Sequence, residues 1–222
     1  MNDEGVKNLL FLFGVRYTDA YFYSRQGMVA HLKSELSTIS RSLFQDDFFG
    51  LFHGSISAKT DNNRFIINKK EAVFYDMKDD DLLEVGHNKD YRWKESSIDT
   101  SIHSQIFSKI SDAKFISFTM PPYTTAYSFS HSMITPMDYF GDQEFNSIMV
   151  YDPKTFDDWY DRASSEIPQH FIHHETNIIV IKGYGVYAYS RDLATMTRRL
   201  AVLEKSCRLL MLAQVGKSQL LE

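Results

Sequence analysis

Apolar residues at steps of four, four, three and four run through residues 27–45, at Met28, Leu32, Leu36, Ile39 and Leu43. That spacing puts all five on one face of a helix. Four short strand patterns follow, His53–Ala58, Arg64–Asn68, Ala72–Asp76 and Leu82–Val85. Asp61-Asn62-Asn63 separates the first two and predicts a hairpin turn, because Asn and Asp tolerate left-handed backbone. Ile102, Ile106 and Ile110 mark a helix over about 99–111, and residues 113–119 read as a strand running into a loop that carries Pro121-Pro122-Tyr123. The second half repeats the alternation. A strand at Ser147–Tyr151 precedes a helix over 154–167 that buries Phe156, Trp159 and Ala163. Asn177–Ile181 is a continuous apolar run, as expected of a strand covered on both faces. Gly185–Tyr189 is a further strand, and a long helix over 192–214 turns Leu193, Met196, Leu200, Leu203, Leu210 and Met211 inward, with Ser190 or Asp192 as its cap. The pattern predicts one α/β domain over residues 27–222, with helices on the faces of a hairpin-rich sheet. Residues 1–26 form an aromatic N-terminal extension.

Composition narrows the function classes. The chain has 222 residues, and 24 basic against 29 acidic residues give a net charge of −5. That balance, with no basic stripe, argues against nucleic acid as a partner. The single cysteine, Cys207, can form neither an internal disulfide nor a cysteine zinc site. Leu9–Val15 is far shorter than the ~20 residues of a membrane helix and lacks a basic leader. The expectation is a cytoplasmic protein without a membrane partner.

Order and spacing go further. "HGSISAKT" (53–60) is similar to a Gly-Asn-x-Ser turn, and "RFIINKKEAVFYDMKDDDLLEV" (64–85) to a phosphate-loop hairpin with its acidic turn. "IDTSIHSQIF" (98–107) resembles an acidic residue followed four positions on by His. "FTMPPYTTA" (118–126) resembles a His-x-His strand end followed by Pro-Tyr-small, and "IKGYGVYAYSRDL" (181–193) a His-Gly-Val strand. Together these segments resemble the class II aldolase/adducin family over about residues 28–215. The resemblance implies a three-layer α/β/α fold with a mainly antiparallel, mixed central sheet. It also implies a homo-oligomer, most simply a tetramer, and a small sugar or sugar phosphate as ligand.

The departures from the family pattern carry the functional reading. Family aldolases hold zinc through three histidines and polarise a ketose phosphate, while a carboxylate moves protons. Those metal positions fall on Phe118, Met120 and Tyr184. Phenylalanine offers zinc no donor, and a thioether is a poor one. Zinc is therefore expected to be absent. The acidic position is kept as Asp99, which serves either the site or the cap of its helix. The phosphate pocket is altered: its asparagine falls on Ser55, its Thr/Ser-Gly pair on Lys70 and Glu71 beside Lys69, and its serine pair on Ser97 and Ile98.

Three other features offer chemistry. Lys182, at the end of an apolar strand, is either an exposed lysine or a desolvated amine able to form a Schiff base. His131, close after the Pro-Pro-Tyr loop, either lines the cleft or stands apart from it, and Tyr123 either packs or meets a ligand. His170, His173 and His174 form either a polar loop or part of a metal site, and His103 either packs beneath its helix or serves as a ligand. Candidate catalytic residues are thus Asp99, Lys182 and His131. Candidate ligand-binding residues are Ser55, Lys69, Lys70, Ser97, Tyr123 and Tyr184. The expected function is non-catalytic ligand binding or assembly on an aldolase-like scaffold. The alternative is a diverged sugar-phosphate aldolase or lyase that uses other residues in the same cleft.

Overall fold

The computed structural model describes residues 17–51 and 53–219. Residues 1–16, which include Leu9–Val15 and most of the predicted extension, lie outside them. Six helices are seen among the described residues: α1 (Tyr17–Gln45), α2 (Thr100–Lys109), α3 (Pro122–Ser128), α4 (Tyr139–Glu144), α5 (Trp159–His173) and α6 (Leu193–Gln219). The strands are β1 (Ser55–Lys59), β2 (Arg64–Asn68), β3 (Leu82–Gly86), β4 (Phe115–Thr119), β5 (Met133–Ile134), β6 (Ile148–Tyr151), β7 (Ile178–Ile181) and β8 (Gly185–Ser190). They form one sheet in the order β3-β2-β1-β4-β8-β7-β6-β5, antiparallel throughout except for β6 and β7.

Two apolar clusters, one on each face, make this a three-layer α/β/α domain. One gathers Leu36 and Leu43 of α1 with Met196, Leu200 and Leu203 of α6 over Ile56, Ile66 and Val186. The other gathers Ile102, Ile106 and Phe107 of α2 with Trp159, Ala163, Ile167 and Phe171 of α5 over Phe65, Ile116 and Ile179. Strand residues alternate between the clusters, as the two-residue period of a strand requires. Asp61 stabilises the predicted hairpin by accepting the Asn63 amide at 2.8 Å.

Four elements differ from the sequence pattern, each for a physical reason. Ala72–Asp76 is not a strand but a tight turn and a single 3-10 turn at Phe74–Asp76. β2 already pairs with β1 on one side and β3 on the other, so neither edge of β2 is open to it. Phe74 instead turns inward and stacks on Phe49 at 4.2 Å. The Pro-Pro-Tyr loop is the helix α3, with Pro122 at its first position, where a missing N–H costs nothing. The 154–167 helix starts later, at Trp159, and runs through Pro168 to His173, so the histidine run is its last turn rather than a loop. Buried Trp159, Ala163, Ile167 and Phe171 extend the apolar stripe past the proline, and that packing outweighs the lost backbone bond. Finally, α1 begins at Tyr17, so residues 17–26 continue the first helix.

Candidate functional site

β1 starts, β2 ends, β4 ends and β8 starts at the same edge of the fold, because these neighbours are antiparallel. The turn before α2 and the β7–β8 turn meet them there. Between them lies a cavity of about 290 Å³, lined by His53, Gly54, Asn68, Lys70, Ser97, Ile98, Asp99, Phe118, Met120, Tyr160, Gly183 and Tyr184. This volume sits at the lower end of the ~300–1,000 Å³ typical of small-molecule sites. Two glycines let the chains approach. A Cβ on Gly54, whose φ is +136°, would meet the Phe49 ring at 2.3 Å. One on Gly185, whose φ is +147°, would meet the Thr119 carbonyl oxygen at 2.4 Å.

Asp99 forms the cavity floor and is 2% exposed. It stands at the α2 N-cap but makes no side-chain capping bond. Its Oδ2 accepts from Ser55 Oγ at 2.7 Å and its Oδ1 from Tyr187 Oη at 3.0 Å. Burial raises its pKa, partly offset by those two hydrogen bonds. Behind Ser55 lies His103, fully buried, with Nε2 at 2.9 Å from Ser55 Oγ and Nδ1 at 2.6 Å from Ser57 Oγ. Burial pushes the His103 pKa down to about 3, so the imidazole is neutral at physiological pH.

Phe118 and Tyr184 on one wall belong to a stack of four aromatic rings. Tyr187 lies on Phe118 at 4.7 Å, Phe118 on Tyr184 at 4.8 Å, and Tyr184 on Phe156 at 5.7 Å, with interplanar angles of 24–29°. Trp159 meets Tyr184 edge-on, and the Tyr184 hydroxyl donates to Tyr160 Oη at 2.9 Å. Burial drives the Tyr184 pKa upward, with the nearby Asp99 charge adding to the shift. Met120, 39% exposed, lines the cavity, as do the exposed side chains of Ile98 and Tyr160.

The sequence-predicted residues divide between the cavity and elsewhere. Asp99, Lys70, Ser97 and Tyr184 line it, with Phe118 and Met120, and Ser55 lies one hydrogen bond behind Asp99. Lys69, Tyr123, His131 and Lys182 are not among the lining residues. Lys69 is held in the turn after β2, where its amide donates to the Asp81 carbonyl. Because the Pro-Pro-Tyr segment is helical, it carries Tyr123 and His131 towards α6. Tyr123 lies under the Arg208 guanidinium, and His131 stacks on Tyr127 at 3.8 Å with Nε2 at 3.2 Å from Gln214 Nε2. Lys182 is exposed and pairs with Asp152 at 3.4 Å. His170 is buried against Tyr151 and His174, its pKa pushed to about 4 chiefly by burial, whereas His173 is exposed. Sequence reasoning missed His53, Asn68 and Tyr160. His53 adjoins the glycine of the first quoted motif, a signal that could have found it. Asn68 closes β2, where its Oδ1 accepts the Ile56 amide at 2.9 Å. Tyr160 reaches the cavity only through the phase of α5, which no local pattern encodes.

A family model, the class II aldolase and adducin N-terminal domain, matches residues 34–211. The chain belongs to this family. No curated protein sequence matches it. Among solved structures, it is similar to L-fuculose-1-phosphate aldolase from Thermus thermophilus, with 20% identity, a TM-score of 0.76, and coverage of 86% of this chain and 98% of that one. It also resembles an aldolase II superfamily protein from Pseudomonas syringae, with 14% identity, a TM-score of 0.72, and coverage of 84% and 76%. A sugar-phosphate aldolase from Thermotoga maritima matches at 13% identity, with a TM-score of 0.65 and coverage of 82% and 94%. At these identities the likeness is one of fold.

The zinc of class II aldolases finds no fitting donor set at the three positions to which the motif resemblance assigns its ligands. Phe118 has no donor atom, and its ring lies between two others. Met120 offers a thioether, and the Tyr184 phenol is held protonated and already hydrogen-bonded. Among the described residues, no three His, Cys, Asp or Glu side chains gather into a metal-binding group.

Proposed function

We propose that this class II aldolase-fold chain binds a small ligand in the Asp99 cavity without zinc and without cleaving it. The four-ring stack carries this reading, because Phe118 and Tyr184 fill with packed carbon the place where the family's metal chemistry would occur. Lys70 and Ser97 would meet an anionic end such as a sugar phosphate, and Asn68 and Asp99 its hydroxyls. Titration calorimetry with dihydroxyacetone phosphate, with and without zinc, tests the reading together with an aldol-cleavage assay. The expected result is binding unchanged by zinc and no cleavage, and zinc-stimulated cleavage would overturn it. Borohydride added with the same ligand is expected to leave Lys182 unmodified, since its ammonium is exposed and ion-paired rather than desolvated.

A second reading, a diverged sugar-phosphate lyase, draws support from one observation. Asp99 is a buried carboxyl with a raised pKa at the cavity floor, which suits proton transfer. Zinc-independent cleavage lost in Asp99→Asn would favour it. Self-association, most simply as four chains, belongs to the proposal and is supported by exposed Met137, Tyr139 and Phe140. Cytoplasmic residence belongs to it as well. Among the described residues, no helix is long and apolar enough to cross a membrane.

A further inference from the structure

At the end of α5 lies another pocket, of about 510 Å³, which shares no lining residue with the Asp99 cavity. His170, His174, Glu144, Glu175 and Arg199 are on its lining. His170 is only 8% exposed, yet neither its imidazole nor that of His174 has a hydrogen-bond or ion-pair partner among the described residues. Buried polar side chains are normally satisfied, so an open imidazole in a pocket calls for a ligand. The two histidines stand four apart, and the His174 amide donates to the His170 carbonyl at 3.0 Å. The helical turn thus runs through both and puts them on one face. Their ring centres are 4.4 Å apart. An ion at the usual ~2.0–2.1 Å from a ring nitrogen lies ~3.2 Å from that ring's centre, so two imidazoles on one ion have centres ~4.5 Å apart at a right angle and ~5.2 Å at a tetrahedral one. The observed spacing matches the right-angled case.

We propose that His170 and His174 form a site for one divalent late first-row cation of right-angled coordination, of the nickel or copper kind, with water in the remaining positions. No third His, Cys, Asp or Glu completes the group among the described residues, so the site is open, unlike a closed structural zinc site. Right-angled nitrogen and oxygen coordination favours nickel or copper over zinc. The surroundings suit a cation. The last turn of a helix carries partial negative charge, and Glu144 and Glu175 add carboxylates to the lining. Arg199 opposes a cation, but its guanidinium is paired with Glu144 at 3.4 Å and lies over the Phe145 ring at 4.9 Å. The Tyr151 ring meets His170 edge-on at 5.5 Å and holds its orientation. Burial keeps His170 unprotonated, with a pKa of about 4, so at neutral pH an incoming ion displaces no proton from it. His173 is exposed and is not on the lining, so it takes no part.

The test uses the full chain, first freed of metal by a chelator that is then removed. Nickel(II) would be titrated by calorimetry and copper(II) followed by electron paramagnetic resonance. The expected result is one equivalent of nickel and a tetragonal copper signal with two nitrogen ligands. His170→Ala and His174→Ala should each weaken nickel binding roughly tenfold or more, since even an indirect partner of a metal costs that much. His173→Ala should bind as the wild type does. His174 is exposed, so His174→Ala decides the matter even if His170→Ala does not fold. No nickel binding in the wild type, unchanged binding in folded His174→Ala, or its loss in His173→Ala would overturn the proposal. So would zinc held more tightly than nickel, because the right-angled geometry would then be wrong. Binding of a sugar phosphate in the Asp99 cavity stands or falls separately.

Discussion

At the scale of single residues, the acid–base groups of the cavity act on stability in opposite senses. His103 has a folded pKa of about 3 against its ordinary 6.5. Between those values the unfolded chain binds a proton that the folded chain refuses, so stability falls as pH drops from 6.5 towards 3. Fully developed, that loss is on the order of 5 kcal/mol. His170, held near 4, adds to it in the same window. Asp99 has the opposite sign. Its folded pKa lies above the ordinary 3.8, so stability declines as pH rises through the interval above that value. Urea unfolding at pH 7 and about pH 4.5 should show net destabilisation on the acid side, with a shallower acid limb in His103→Gln. A flat profile in the wild type would refute the assignment. Little of this was legible in the sequence. Asp99 and His103 stand four apart, and that spacing marked both, but their partners Ser55, Ser57 and Tyr187 come from strands 44 or more positions away along the chain. No local pattern reports such a pairing.

At the scale of elements, α3 depends on a side chain from another helix. It starts at Pro122 and spans 7 residues, too short to persist alone. Glu204 of α6 accepts the Tyr123 and Thr124 amides at 2.8 Å each and the Thr124 hydroxyl at 2.7 Å. The carboxylate thus takes up donors that a short helix leaves free at its N-terminus. Glu204→Ala should cost about 2–3 kcal/mol, and Glu204→Gln less, as read by urea unfolding. Equal stability of wild type and Glu204→Ala would show the clamp to be idle. The dependence on Glu204 explains why the Pro-Pro-Tyr segment reads as a loop in sequence. It has two prolines and small polar residues, and its helical order comes from a residue some 80 positions on. The long amphipathic helices and the alternating strands were legible because their periodicity is local. Ala72–Asp76 was misread because its pattern is strand-like while both edges of β2 were already taken.

At the scale of the molecule, the described surface exposes several large apolar side chains. Met137, Tyr139 and Phe140 are 81%, 72% and 71% exposed, and Phe129 is 63% exposed. On the proposed self-association, a neighbouring chain would cover them. Light scattering at micromolar concentration should therefore give a mass above that of one chain, and Phe140→Asp should lower it. A monomer in the wild type would count against self-association. The layered fold itself was readable from the alternation of elements and from motif order. The depth and wall of the cavity were not, since they depend on how α5 and the β7–β8 turn meet.

The aromatic wall also bears on how this protein could be rebuilt. Phe118→His alone would set one imidazole between the phenols of Tyr184 and Tyr187. That exchange gives up ring packing and leaves two of the three ligand positions without histidine. Tyr184→His alone would strip Phe118 and Phe156 of a shared neighbour to the same end. Coordination arises only when all three positions change together, whereas the loss of packing is felt at the first step, so the effects cannot add. A single-substitution path from this cavity to a zinc-bearing one that begins at Phe118 or Tyr184 therefore begins downhill in stability. The four rings would act as a ratchet against gaining the histidines at Phe118 and Tyr184 one at a time.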